Sequence, residues 1–186
     1  MSAMHPEGKF QAAVLDPNVT AVCVSLARAG IIPSQVCYEI LTKMLNPEGV
    51  RQDHISINRK VDEKEHVIGT LLSGYKIGGQ VDNAFLLIPD PMGATGSTLK
   101  TTFEIYKKYG RPKKIIALHL IVTPEYLSSV LSSCPDLLVY ALRLDRGLSA
   151  PEILKTPLGS QWQKEKGFKK RQGLHRPRSR RHRRST

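Results

Sequence analysis

Apolar, β-branched runs alternate with segments of helical period along most of the chain, and this alternation restricts the fold more than any other feature. Val19 to Leu26 (VTAVCVSL), a short run at His54 to Asn58, Phe85 to Pro89 (FLLIP), Lys114 to Val122 (KIIALHLIV) and Leu137 to Leu142 read as strands. Pro33 to Leu45, Ser97 to Tyr109 and Pro124 to Ser132 read as helices. The first carries Val36, Ile40, Leu41 and Met44 on one face, and Gly110 and Pro112 stop the second. Repeated strand–helix–strand units predict an α/β fold, a parallel sheet flanked by helices. Arg59 to Asp82 departs from the pattern. It is polar, Gly-rich and without a convincing helix, and connectors of that length are usually lids, hairpins or disordered. There is no internal repeat.

A chain of 186 residues with 40% hydrophobic content can bury one core. Its formal charge of +12 is unevenly placed. Phe168 to Thr186 hold nine of the 28 Lys and Arg and none of the 16 Asp and Glu, leaving 19 bases against 16 acids elsewhere. The expected organisation is a short lead at 1–18, one domain at 19–167 and a basic, disordered tail at 168–186. No apolar run approaches the roughly 20 residues that span a bilayer, and MSAMHPEGKF lacks the apolar core of a secretory signal. A cytoplasmic protein with no membrane partner is expected. Cys23, Cys37 and Cys134 are odd in number and set among apolar neighbours, so they read as reduced structural thiols.

In open α/β sheets, ligands bind beyond the carboxyl ends of the strands. Three loops leave such ends here: Ala27 to Gly30, Asp90 to Thr98 and Asp145 to Ser149. The second, Asp90-Pro91-Met92-Gly93-Ala94-Thr95-Gly96-Ser97-Thr98, follows a strand and opens a helix. A phosphate there meets backbone N–H groups and the positive end of the helix, Gly93 and Gly96 permit close approach, and Thr95, Ser97 and Thr98 add hydroxyls. It is not the P-loop, because the Gly-Lys-Ser/Thr ending is absent. Asp90 is an acceptor suited to sugar hydroxyls or a magnesium-bound water. The alternative is an ordinary capped turn, with Ser97 or Thr98 as the N-cap.

LLIPDPMGATGST closely resembles the DPMLATGG(S/T) signature of uracil phosphoribosyltransferases, a type I phosphoribosyltransferase family. VSLARAG at Val24 to Gly30 is similar to that family's ILRAG loop, INRKVDE at Ile57 to Glu63 to its MYRNEE segment, and RLDRGLS at Arg143 to Ser149 to its DRGL segment. PEYLSSVLSSCPDLLVYALRLD also resembles the helix, turn and strand that precede DRGL, and the motifs stand in family order. The resemblance implies the type I phosphoribosyltransferase fold and its reaction: uracil attacks C1′ of phosphoribosyl pyrophosphate (PRPP), displacing magnesium pyrophosphate and giving UMP. It further implies catalytic roles for Asp90, Arg28 and Asp145. Ala94 to Thr98 would hold the 5′-phosphate, with Pro91, Met92 and Gly93 completing the loop, and Asp90 the ribose hydroxyls. Arg28, Ala29 and Gly30 would bind pyrophosphate, Arg59 would close over it, and Asp145 would hold Mg2+ through water, with no direct protein ligand to the metal.

The chain also departs from the family pattern, which has Leu where Gly93 stands and a second Gly where Ser97 stands. Family members carry additional helices before the first strand that contribute to a homodimer, so dimerisation is left open here. The family's uracil-reading segment, resembling YIVPG followed by a Gly-rich stretch, is replaced by KKRQGLHRPRSRRHRRST. Codons can be chosen for KRQGLHRPRSRRHRRS that read DYIVPGAGGIGE one base later, which points to a frameshift near Lys169-Lys170. The other readings are a non-catalytic regulator that senses PRPP, a nucleic-acid-binding protein that uses the basic tail, and a transferase acting on a different base.

Overall fold

The computed structural model describes residues 13–61 and 67–167, with the backbone alone at 58–61 and 67–71. The apolar runs are strands and the segments of helical period are helices. In chain order the elements are β1 (Ala21–Ala27), α1 (Ile31–Met44), β2 (Val50–Val61), β3 (Val67–Lys76), β4 (Phe85–Pro89), β5 (Met92–Gly93), α2 (Ser97–Tyr106), β6 (Lys114–Val122), α3 (Pro124–Ser133), β7 (Leu138–Leu144) and α4 (Pro151–Leu154). All strand pairings are parallel except β2 with β3. The sheet runs β3-β2-β1-β4-β6, with β7 along one side of β6 and β5 along the other, beyond β4.

The long polar connector is largely a hairpin, and the short strand expected at His54 to Asn58 is its first arm, Val50–Val61. An apolar pattern is missing because polar contacts hold the base of the hairpin. Asp53 is fully buried; it pairs with Arg51 at 3.1 Å and accepts from the Tyr106 hydroxyl at 2.8 Å and the Gly78 amide at 3.0 Å. These bonds join both arms to α2.

The main core lies on one face of the sheet, where α2 and α3 cover Val22, Val24, Leu86, Ile88 and Ala117. The other face is covered in part by α1, and here the sequence expectation is corrected. Val36, Ile40 and Met44 point outward, at 49%, 50% and 54% exposure, and the helix packs instead through buried Ser34, Tyr38 and Leu41. A small residue at 34 lets α1 approach β1 closely, and the Cys23 thiol donates to the Ser34 carbonyl at 3.2 Å. Register through Cys23, Leu87, Ile116 and Leu138 puts Leu120, Tyr140 and Leu142 on this same face, all exposed. The three cysteines are free thiols, as expected. The basic tail lies outside the described residues.

Candidate active site

Chain order reverses between β1 and β4: β2 and β3 follow β1 to one side, while β6 and β7 follow β4 to the other. The loops leaving β1 and β4 therefore diverge from a topological switch point, where open sheets leave a crevice. Gly30 allows those loops to pass closely. A Cβ there would lie 2.8 Å from the Leu26 carbonyl oxygen and 2.9 Å from that of Pro89. Arg28 and Ala29 are exposed at this edge, and the Ala27–Arg28 peptide is cis.

The β4 loop runs from half-buried Asp90 through β5 into α2. Burial raises the Asp90 carboxyl above its ordinary value, while a bond from the Met92 amide at 3.3 Å and the nearby His119 oppose the rise. The N-cap of α2 is Gly96, with φ of 77° and no side-chain cap, so the alternative of a turn capped by Ser97 or Thr98 does not hold. A Cβ at Gly96 would sit 2.6 Å from Val130, so the position is closed to other residues by space as well as conformation. The hydroxyls of Thr95 and Ser97 lie 3.2 Å apart on the exposed side. Gly93 is buried, and a Cβ there would meet the Tyr126 ring at 2.8 Å. The aromatic side chain of α3 thus fills the space that Leu, the family residue at 93, would need.

Asp145 follows β7 at the same edge. Its carboxylate accepts from the Gly147 amide at 3.1 Å, a turn contact, and its own amide donates to the Val122 carbonyl at 2.8 Å. The next residue, Arg146, was not singled out from sequence and is structural. Its guanidinium donates to the carbonyls of Ile153, Leu154, Thr156 and Pro157 and pairs with Glu165 at 3.0 Å. That clamp folds the chain back so that Lys166 pairs with Gly147 and the Gly167 amide reaches Glu125. Arg59 lies on β2 opposite Thr70, at a position where the description stops at the backbone.

A cavity of about 310 Å³ lies beside the end of β1, lined by Ser25, Ala27, His54, Ser56 and Lys76 among others. Another, of about 720 Å³, lies between Ser149, Glu152, Gln161 and Lys166. Neither is lined by the loop from Asp90 to Thr98. The sequence reading also missed His119, Thr123 and Tyr126, which stand behind that loop. A histidine inside an apolar strand and a Thr-Pro-Glu helix start were the available signals.

A mostly parallel sheet with a phosphate-type loop at its switch point has the architecture of a type I phosphoribosyltransferase. An APRTase from Giardia lamblia shares the fold, with a TM-score of 0.50 at 18% identity over 70% of this chain and 72% of that one. A protein from Aquifex aeolicus superposes with a TM-score of 0.54 at 22% identity, covering 67% and 54%. The uracil phosphoribosyltransferase family profile matches residues 1–160, and the chain belongs to that family of transferases. A uracil phosphoribosyltransferase from Variovorax paradoxus is 32% identical over 155 residues, 83% of this chain and 68% of that protein. One from Thermococcus sibiricus is 38% identical over 74 residues, 40% of this chain. The match spans only about a third, 32–33%, of the length of the Thermococcus and Pyrococcus relatives.

Proposed function

We propose that the protein is a uracil phosphoribosyltransferase in fold and site, built to transfer the phosphoribosyl group of PRPP to uracil and give UMP and pyrophosphate, with turnover held low by the basic segment that stands in place of the uracil-reading one. The observation that carries this reading is the start of α2 at the switch point, a glycine-capped helix N-terminus without a side-chain cap, beside Asp90 and hydroxyl-lined. The loop Ala94 to Thr98 holds the 5′-phosphate and Asp90 accepts from the ribose hydroxyls. Arg28, with the Ala29 and Gly30 backbone, binds pyrophosphate, to which a planar guanidinium is suited. The resemblance of the segment Ile57 to Glu63 supports a part for Arg59 in closing over pyrophosphate. The relatives' names support uracil as the acceptor base.

The reaction passes through an oxocarbenium-like state at C1′, so the chain's work is to position the two reactants and exclude water. Among the described residues there is no group of three or more His, Cys, Asp or Glu able to enclose a metal. The hard oxygen donors of Asp90 and Asp145 suit an ion held mainly by substrate phosphates and water, so they fit Mg2+. When bound, magnesium neutralises charge on the departing pyrophosphate, and Asp145 would hold it through water.

Calorimetric titration of the full chain with PRPP and magnesium, followed by an assay for UMP in this chain and in the frame that reads DYIVPGAGGIGE, tests the proposal. Binding in the micromolar to millimolar range is expected; no heat at millimolar PRPP would remove it.

A further inference from the structure

A phosphate loop works through its amides, so what matters is which way its peptide planes face. Four of its carbonyls are tied to one short stretch, the end of β6 and the start of α3. The Asp90 carbonyl lies 2.6 Å from His119 Nδ1. That of Pro91 accepts from the amides of Leu120 and Ile121 at 3.1 Å, and that of Gly93 from the Thr123 amide at 3.0 Å. The Ala94 carbonyl accepts from Thr123 Oγ1 at 2.6 Å.

A carbonyl can only accept, so His119 Nδ1 carries the proton and its Nε2 accepts from the Tyr126 hydroxyl, 2.5 Å away. Thr123 Oγ1 in turn accepts from the Tyr126 amide at 3.1 Å, which leaves its hydroxyl proton for Ala94. Thr123 is fully buried and His119 is 8% exposed, so both sit on the packed side of the loop. In a trans peptide the C=O and the following N–H point in opposite directions. Holding the carbonyls of Gly93 and Ala94 toward β6 therefore turns the amides of Ala94 and Thr95 away from it.

We infer that Thr123 and His119 are positioning residues for the loop: Thr123 holds the Gly93 and Ala94 carbonyls so that the Ala94 and Thr95 amides face a bound phosphate, and His119 fixes the start of the loop at the Asp90 carbonyl. The inference rests on the phosphate-loop reading proposed above. It assigns to the strand behind the loop the part of anion recognition that the loop's own side chains do not supply.

The test compares the full-length wild type with Thr123→Ser, which keeps the hydroxyl, and Thr123→Val, which keeps the shape without it. His119→Asn places an amide N–H where Nδ1 stands, whereas His119→Gln reaches toward Nε2 instead. Binding of PRPP with magnesium, and of inorganic phosphate, is read by calorimetry; amide NMR shifts of Ala94 and Thr95 on adding phosphate are read alongside thermal unfolding. Thr123→Val is expected to weaken PRPP binding about tenfold and to quench the Thr95 shift more than that of Ala94, since the Thr123 main-chain amide still holds the Gly93 carbonyl. Thr123→Ser and His119→Asn should stay within about threefold of wild type, and His119→Gln should fall below His119→Asn. Equal affinities and unchanged shifts within the pairs would overturn the inference while the phosphate-loop reading stands. A wild type that binds neither probe would overturn that reading, and the inference with it. Should Thr123→Val fail to fold, the PRPP affinities of the two His119 variants decide the matter.

Discussion

Asp90 is subject to two opposing demands. Its carboxyl is raised above the ordinary range chiefly by burial, so the folded chain holds a proton there more readily than the unfolded chain does. The ionised form, which the proposed contact with ribose hydroxyls uses, therefore costs stability, a cost that grows as pH rises through the unfolded value and stays constant above the folded one. Asp90→Asn should raise the melting temperature at pH 7, with the gain closing below about pH 4. The same change should weaken PRPP binding by about 1–3 kcal/mol, as measured by titration. Cysteine reactivity is a second residue-scale consequence. The neighbouring Cys23 side chain lowers the Cys37 thiol to about 7, whereas burial raises that of Cys134. Cys37 should be alkylated by iodoacetamide before Cys134 and well before buried Cys23, an order mass spectrometry can read. The loop from Asp90 to Thr98 was legible as a strand-to-helix turn because Gly93, Gly96 and the run of small polar residues interrupt the apolar pattern. Its backing was not, since Thr123 and His119 act on carbonyls 29 residues away and neither carries a local signature of that contact.

At the scale of elements, apolar runs located β1 and β4 because strands buried in a parallel sheet need apolar residues on both faces. They located β6 and β7 as well, although Leu120, Tyr140 and Leu142 there are exposed. The same logic fails where polar networks substitute for apolar packing, as at Asp53 in the hairpin, or where a helix approaches through a small residue, as α1 does at Ser34. Two contacts between elements yield predictions. Gly93→Leu restores the family residue but drives it into the Tyr126 ring, and should destabilise by about 1–3 kcal/mol in denaturant titration. Tyr126→Ala in the same chain should recover part of that loss. Arg146→Ala would leave the Glu165 carboxylate fully buried without its cation, a loss on the order of 3–5 kcal/mol. Hydrogen exchange should then rise first across residues 151–167, which the Arg146 guanidinium holds by four carbonyls.

For the whole molecule, the described chain ends at Gly167, where an added Cβ would press on the Asp145 carbonyl. The sequence beyond it is where base recognition and nucleic-acid binding are both to be tested. If six or more of the nine cations from Phe168 to Thr186 meet phosphates, binding to nonspecific DNA should fall about 10³-fold between 50 and 200 mM salt. A chain ending at Gly167 should lose that binding. The chain as it stands is expected to make little UMP. The frame that reads DYIVPGAGGIGE should raise turnover by orders of magnitude at equal folded concentration, since placing the second reactant supplies several kcal/mol. Equal turnover in both frames would leave the basic segment needing a role of its own.

The bonds from Asp90 to His119 and from Ala94 to Thr123 confine the loop and its backing to one continuous stretch of chain. Grafting Asp90 to Thr98 alone onto another strand–helix turn would transfer the amides without the groups that aim them. A graft extended through Thr123 would bring its own strand and aim along. The portable unit is therefore a strand–loop–helix–strand block, the least that carries both the loop and the groups that aim its amides.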